Sequence, residues 1–313
     1  MDSRYRHEPA RLDRRRLLLG LGATTLALWS PARVASALSP NRAVEALGAV
    51  AAADDHLLAV TGLTDTRLLM KDSGREMTLS LMRGLEGHVF GLNRGQHQWL
   101  AAGAVESQHL TGAVWVSSDG QQWTRQVTLP DARVTDVVEA QGALVAVGHR
   151  IDPETSEPAG PVAWHVDGAD WDAAMLADAL GEGTLVGVTT MGGELIALGL
   201  GTAGGAAWAS ADGHRWRRVD SGGLAGVAPH GLVVHDGRLV AIATAVADGT
   251  PLLLESRDAS YWRATPLPQP EFAGAWVTDL ALAGRALVVA GSDRGGAAAL
   301  WHSDDLAIWR REE

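Results

Sequence analysis

Five tryptophans, Trp123, Trp171, Trp216, Trp262 and Trp309, stand 48, 45, 46 and 47 residues apart, and each closes one short phrase, roughly Ser-x-Asp-Gly-x-x-Trp. The copies read Ser117-x-Asp119-Gly120-x-x-Trp123, His165-x-Asp167-Gly168-x-x-Trp171, Ser210-x-Asp212-Gly213-x-x-Trp216, Ser256-x-Asp258-Ala259-x-x-Trp262 and Ser303-x-Asp305-Leu306-x-x-Trp309. A sixth copy is degraded: Met77 stands 46 residues before Trp123 and follows Lys71-x-Ser73-Gly74. Eight residues before each anchor another large apolar residue recurs, Leu69, Trp115, Trp208, Leu254 and Trp301, with Trp164 displaced by one. A unit this short cannot bury its apolar face alone, so successive units must stack on one another.

Each unit reads as four strands. In the third, Val134 to Ala140 and Ala143 to His149 flank the tight-turn pair Gln141-Gly142. Residues 151–160 are polar with two prolines and form a loop. Pro161 to Val166 then turns through Asp167 to Asp170 into a strand at Trp171. The second strands, such as Leu144-Val-Ala-Val-Gly148 and Leu195-Ile-Ala-Leu-Gly199, are apolar without alternation, which means burial on both faces. Sheets sandwiched between neighbours, with a period in the mid-forties, predict an all-β chain: a six-bladed β-propeller of four-stranded antiparallel blades. It occupies residues 38–313 as one domain and closes without exchanging a strand, with residues 38–45 available as a further edge strand. Helical patterning is confined to Asp172 to Leu180.

Residues 1–37 stand apart from the repeats. Asp13-Arg14-Arg15-Arg16 opens a 13-residue apolar run ending at Trp29, followed by the small residues Ala35-Ser36-Ala37. This leader resembles a twin-arginine export signal, with Arg14 and Arg15 as the pair, and predicts a periplasmic or extracellular protein with no membrane span in the mature chain. The leader holds seven of the 26 basic residues and three of the 37 acidic ones, leaving 19 against 34, a net of about −15. Such a surface disfavours nucleic acid and anionic lipid. With no cysteine in the chain, disulfides, thiolate metal sites and thiol nucleophiles are excluded.

The repeated phrase resembles a degenerate Asp-box, the repeat of sialidase-like (BNR) β-propellers. The resemblance implies a turn between third and fourth strands, serine and aspartate oxygens capping its amides, and the tryptophan packed between blades. Asp-Gly suits such a turn by itself, because it tolerates positive φ and local amide capping. One residue fewer separates aspartate from glycine here, and no threonine precedes tryptophan. The structural repeat set is Asp119, Gly120, Trp123, Asp167, Gly168, Trp171, Asp212, Gly213, Trp216, Asp258, Trp262, Asp305 and Trp309. It specifies architecture, not activity. Sialidase chemistry needs a tyrosine nucleophile, and the only tyrosine after the leader, Tyr261, falls in one of these turns, on the face away from the expected ligand.

That ligand face is the one carrying the second-to-third and fourth-to-first connections. Aligned first strands place Ala49, Gly91, Asp136, Gly187, Gly231 and Asp279 at one level. The aspartates belong to opposite units, each inside Val-Thr-Asp, so Thr135, Asp136, Thr278 and Asp279 converge on the axis as candidate ligand-binding residues. Two acids there suit acid–base work on a polar ligand or a divalent cation; the alternative is that each aspartate caps a neighbouring strand. Asp136, Asp279 and Glu271 are the candidate catalytic carboxylates, and no cofactor is otherwise expected. His88 and His230 are further binding candidates, with Arg67, Glu106, His109, Arg133, His149, Arg150 and Arg294 as ionisable neighbours. Gly199-x-Gly201-x-x-Gly204 has dinucleotide spacing but lacks a βαβ context.

A strong scaffold signal beside a weak catalytic one predicts an exported, non-catalytic monomer that binds a protein, an envelope polymer or glycan, or a small polar ligand on its loop-rich face. The alternative is a glycan-active hydrolase or lyase using carboxylates at the channel mouth, with a cofactor-bearing oxidoreductase third.

Overall fold

The computed structural model describes residues 47–53, 56–61, 67–72, 78–106, 110–167, 170–176, 183–201 and 204–311. Their strands fall into six sheets. The first holds β1 (Leu47–Ala53), β2 (His56–Thr61), β3 (Arg67–Asp72) and β4 (Thr78–Leu81); the second holds β5 (His88–Arg94), β6 (Trp99–Glu106), β7 (Leu110–Ser117) and β8 (Thr124–Pro130). The third is β9 (Ala132–Ala140), β10 (Ala143–Ile151), β11 (Pro158–Asp167) and β12 (Asp170–Ala173). The fourth combines β13 (Met175–Leu176) with β14 (Gly183–Met191), β15 (Glu194–Gly201), β16 (Gly204–Ser210) and β17 (Arg215–Val219). The fifth is β18 (Val227–His235), β19 (Arg238–Ala245), β20 (Pro251–Ser256) and β21 (Arg263–Pro266). The last is β22 (Trp276–Ala283), β23 (Ala286–Ser292), β24 (Ala298–Ser303) and β25 (Arg310–Arg311). The inner strands β1, β5, β9, β14, β18 and β22 each pack on the next, and β22 packs on β1, which makes the chain a β-propeller.

The expectation of six four-stranded antiparallel blades is corrected. Five sheets have that form; in the other, β13 runs parallel to β17 and adds a fifth strand, with Met175 opposite Arg215 and Leu176 opposite Trp216. The connection leaving β12 lies along the exposed edge of the following sheet and pairs with its outward amides and carbonyls, which covers that edge. The helix considered from Asp172 is likewise replaced by extended chain over residues 170–173 and 175–176. Residues 177–182 and 38–45, and the degraded phrase at Ser73 to Met77, lie outside the described residues.

The core is distributed between blades. Trp115 packs with Leu58 and Val60 of the first sheet, Trp164 with Leu100 and Val114 of the second, and Trp208 with Val145 and Val147 of the third. Trp301 packs with Val240 and Ile242, and Leu300 with Leu47 and Val50, so the seam between last and first sheets is as apolar as the others. Three of these indoles face a small residue on the second strand, Ala101 opposite Trp115, Ala146 opposite Trp164 and Ala197 opposite Trp208, whereas Trp301 stands opposite Val289. Trp164 is therefore in register after all, and its one-residue displacement lies in the hairpin that follows. That hairpin departs from the rest. Trp171 sits inside β12 opposite Val166 and stays half-buried, while Asp167 pairs with Asp170 across Gly168, which is outside the described residues.

In the other four copies the phrase forms a capped turn. Asp119 Oδ1 accepts the Gln121 and Gln122 amides at 2.8 Å, Ser117 Oγ accepts the Gly120 amide at 2.9 Å, and Trp123 Nε1 donates to Gly120 O at 3.0 Å. Asp212 repeats this with His214 and Arg215, and Asp305 with Ala307 and Ile308. In the Asp258 copy Oδ1 accepts the Ser260 amide, and Trp262 Nε1 donates to Ala259 O. The glycine position has φ of 73° and 76° at Gly120 and Gly213, and Ala259 and Leu306 hold the same left-handed conformation at 63° and 62°. The turn geometry is thus the same with or without the residue that adopts it most easily.

Candidate functional site

The site is framed by one backbone irregularity repeated around the axis. Pairing between first and second strands skips Gly48, Phe90, Thr135, Val186, His230 and Thr278, so each inner strand carries a β-bulge at that point. A bulge re-aims the extra residue's side chain. The level identified from the sequence, from Ala49 to Asp279, is the residue immediately after each bulge.

At two bulges the re-aimed side chain is threonine. Thr135 Oγ1 reaches Val147 O in its own sheet at 2.9 Å and Leu185 O in the next at 2.7 Å; Thr278 Oγ1 reaches Ala290 O at 3.1 Å and Leu47 O at 2.7 Å. The following aspartates do the same through acceptors. Asp136 takes the Val137 amide on Oδ1 and the Val188 amide of β14 on Oδ2, at 2.8 and 2.9 Å. Asp279 takes the Leu280 amide on Oδ1 and the Val50 amide of β1 on Oδ2, at the same distances. Each Val-Thr-Asp is therefore a clasp binding its sheet to the next, and the second clasp joins the last sheet to the first. Of the two readings of these residues drawn from the sequence, capping of a neighbouring strand is the one the hydrogen bonds describe.

Burial dominates the electrostatics of the pair. Asp136 is pushed up to about 7 by desolvation, against the two amides that favour its charge. Asp279 is raised well above the usual range, by burial first and also by repulsion from Asp136 across the channel. The turn aspartates behave oppositely: exposed, and accepting amides, Asp119, Asp212 and Asp305 are held below the usual range.

Toward the loop-rich face, above the clasps, polar and aromatic side chains form an arc over the second, third and fourth sheets. The His88 and Phe90 rings stack with centroids 6.4 Å apart, and the Arg133 guanidinium lies 3.7 Å from the Phe90 ring. Arg133 stands directly opposite His149 on the β9–β10 ladder, and His149 Nδ1 meets Thr184 Oγ1 of β14 at 2.7 Å. Burial lowers Arg133 to about 10; burial, then Arg133, lowers His149 to about 3. Near neutral pH the arc therefore carries a cation beside an uncharged imidazole. No carboxylate or hydrogen-bond partner of Arg133 is present among the described residues, and the buried His149 Nε2 has no partner either.

A second cluster belongs to the fifth and sixth sheets. His230, the bulge residue of β18, meets Thr244 Oγ1 through Nε2 at 2.8 Å and lies 6.0 Å from the half-buried Trp276 ring; burial lowers it to about 4. Glu271 is exposed, and its carbonyl accepts from Trp301 Nε1. Arg150 and Arg294 are exposed, Arg67 lies in β3 and Glu106 in β6, and His109 is outside the described residues. Tyr261 is 68 % exposed in its turn on the opposite face. Sequence reasoning named Arg133 and His149 only among many ionisable neighbours and missed Phe90, Thr184 and Trp276. A signal was available in retrospect: Phe90 is itself a bulge residue, and Arg133, Thr184 and Trp276 each stand two places before one, at Thr135, Val186 and Thr278.

No protein-family model and no curated protein sequence matches the chain. Solved structures do. A mutant of the Aleuria aurantia lectin AAL in complex with Fucalpha1-6GlcNAc is similar over 86 % of this chain and 95 % of its own, at 10 % identity and a TM-score of 0.60. YCF48 bound to D1 peptide is similar over 86 % and 82 % at 15 % identity and a TM-score of 0.50. At these identities the likeness is one of fold.

Proposed function

We propose that this chain is an exported, non-catalytic propeller of the Asp-box kind that binds a glycan, envelope polymer, protein or small polar ligand at the loop-rich mouth of its channel. The observation that carries this reading is the contrast between the two levels of the axis. The two axial carboxylates, Asp136 and Asp279, have every oxygen committed to a backbone amide and Glu271 stands apart from them on the exposed surface, whereas the level above holds a cation without an acid and an imidazole nitrogen without a partner. A partly exposed cation without an acid beside it is a group that a bound molecule can satisfy. Two similar folds seen with a disaccharide and a peptide are consistent with a binding role. Export is supported by Arg14, Arg15 and the apolar run after them.

Purified protein screened against immobilised glycans and envelope fractions, with released products assayed in parallel, tests this. Retention without turnover is expected; hydrolysis or lyase products that vanish in Asp136→Asn would replace a binding role with a catalytic one. Export is tested by fusing residues 1–37 to a reporter: Arg14→Lys with Arg15→Lys is expected to hold it in the cytoplasm.

A further inference from the structure

Each tryptophan that closes a phrase lies in the seam with the preceding sheet, as Trp123 does against Leu58 and Trp171 against Val114. Trp123, Trp216, Trp262 and Trp309 are at most 5 % exposed, whereas Trp171 is only half-buried. The difference lies in the chain that leads into each sheet. Ahead of β5, Arg83 donates its amide to Gln121 O at 3.1 Å and its carbonyl accepts the Trp123 amide at 2.9 Å, which makes a parallel strap along the turn. Gly222, ahead of β18, does the same with Ser260 O and the Trp262 amide, both at 2.8 Å. Next in each strap comes a glycine at φ of 80° or 86°, Gly84 or Gly223, and then a buried leucine, Leu85 or Leu224, that joins the cluster around the indole. A Cβ on Gly84 would stand 2.2 Å from Trp123 O, and one on Gly223 2.0 Å from Trp262 O, so the strap requires glycine just before its leucine.

Other seams are closed in related ways. β13 runs parallel to β17 at Trp216, and Phe272, ahead of β22, packs edge-on to Trp309 at 5.5 Å. Between the second and third sheets no chain is left for a strap, because β8 runs seven residues where β4 runs four and β17 five, and Asp131 alone separates it from β9. β12 therefore pairs on one side only, with β11. Among the described residues nothing enters this seam, and Val116, Val127, Leu144 and Trp171 remain partly exposed around its buried cluster.

We propose that the seam between the second and third sheets docks an extended segment of a partner protein in which glycine is followed by leucine. The segment adds as a parallel strand to the open edge of β12 at Asp170 and Trp171, and its leucine covers the indole beside Val127. Its chemistry is that of the two straps this chain already carries in the neighbouring seams. The site lies on the rim and is independent of the loop-rich mouth.

The test titrates the full mature protein with a synthetic peptide copying residues 219–226, Val-Asp-Ser-Gly-Gly-Leu-Ala-Gly, and follows the indole N–H resonances, the Trp171 signal being identified by its loss in Trp171→Phe. Saturable movement of that signal is expected, with a Kd of about 1 mM or tighter. Peptides carrying Leu224→Ser or Gly223→Ala should bind at least about tenfold more weakly, the scale of one buried aliphatic side chain or one residue forced into the left-handed region. In the protein, Val127→Asp should weaken the peptide by the same factor, and Val246→Asp, in the exposed turn after β19, should leave it unchanged. Should Val127→Asp fail to fold, the comparison of peptides on the unmodified protein decides. A Trp171 signal that stays still, or equal binding of the Leu224→Ser peptide, overturns the proposal. So does a Trp171 signal that moves with protein concentration alone, which would make the occupant a second copy of this chain. A ligand at the mouth moves Trp276 and not Trp171, so failure at either place is read separately from failure at the other.

Discussion

Replacing Asp136 by asparagine should make the protein's stability less sensitive to pH, in one calculable direction. Asp136 is 9 % exposed, and its folded-state value of about 7 stands about three units above the ordinary value of 3.8. Each unit corresponds to 1.36 kcal/mol, so the full difference is about 4 kcal/mol. The sign follows from proton counting. Between the two values the native state keeps a proton that the unfolded chain has released, so the stabilisation is complete below pH 3.8, is lost as pH rises toward about 7, and then stays constant. Asparagine does not titrate. Its single acceptor oxygen can serve the Val137 amide or the Val188 amide but not both, so at about pH 4 the variant should be less stable by about 1–3 kcal/mol. From about pH 4 to about pH 8 its stability relative to the unmodified protein should then rise by about 4 kcal/mol. Losing the repulsion that Asp136 exerts on Asp279 acts in the same direction. Urea unfolding of both proteins across this range measures the difference, in which the general repulsion of an acidic surface cancels. A difference that stays flat within about 1 kcal/mol, or that falls with pH, would show that the two amides outweigh desolvation and refute the reasoning.

Thr278→Val removes the hydroxyl shared by Ala290 O and Leu47 O at the joint between last and first sheets, and should cost about 1–2 kcal/mol in chemical denaturation, with Thr135→Val costing the same at the matching joint. Gly213→Ala should cost more than Gly142→Ala: both have strongly positive φ, but a Cβ on Gly213 meets His165 Cδ2 at 2.8 Å whereas Gly142 faces open space, so about 1 kcal/mol is expected at Gly142 and at least about 2 at Gly213, read from melting temperatures. Trp301→Ala empties a fully buried site where the indole stacks on Phe272 at 4.7 Å, and should destabilise by about 3–5 kcal/mol while abolishing part of the near-ultraviolet circular dichroism.

Much of the scaffold could be read from the chain because propeller blades repeat their constraints in every unit. The apolar second strands, the turn phrase and the indole eight residues before it each answer a local need, and the tiny residues at the axial level had to be tiny: a Cβ on Gly91 would stand 2.3 Å from Thr135 O. What escaped was whatever depends on a single unit. The fifth strand arises because one connection, Met175–Leu176, finds an open edge, and two residues carry no periodic signal. Trp171 keeps the letters of the phrase while its hairpin is one residue shorter, which moves the indole into the strand. Arg133, Phe90, His149 and Thr184 come from three sheets, and their meeting depends on bulges that leave no mark in hydrophobic patterning.

Among the described residues each sheet is drawn from one contiguous stretch of chain, and the two aspartates account for how the seam between the last sheet and the first is held. Around the axis the order is Gly91, Asp136, Gly187, then Gly231, Asp279, Ala49: each acid lies between two residues with little or no side chain. The residue before makes room, since a Cβ on Gly231 would stand 2.4 Å from Asp279 Oδ1. The residue after lets the next strand bring its amide to the carboxylate, Val188 to Asp136 and Val50 to Asp279. Small–acid–small is thus one device used twice, and its second use falls at the seam between the last sheet and the first. Propellers face a closure problem because the first and last blades have no covalent neighbour, and a hydrogen-bonded clasp at the axis, backed by the Leu47, Val50 and Leu300 packing, holds that seam with the same contacts that join the third sheet to the fourth. Acids buried this deeply are held at a cost that rises with pH, which is why they belong to architecture here.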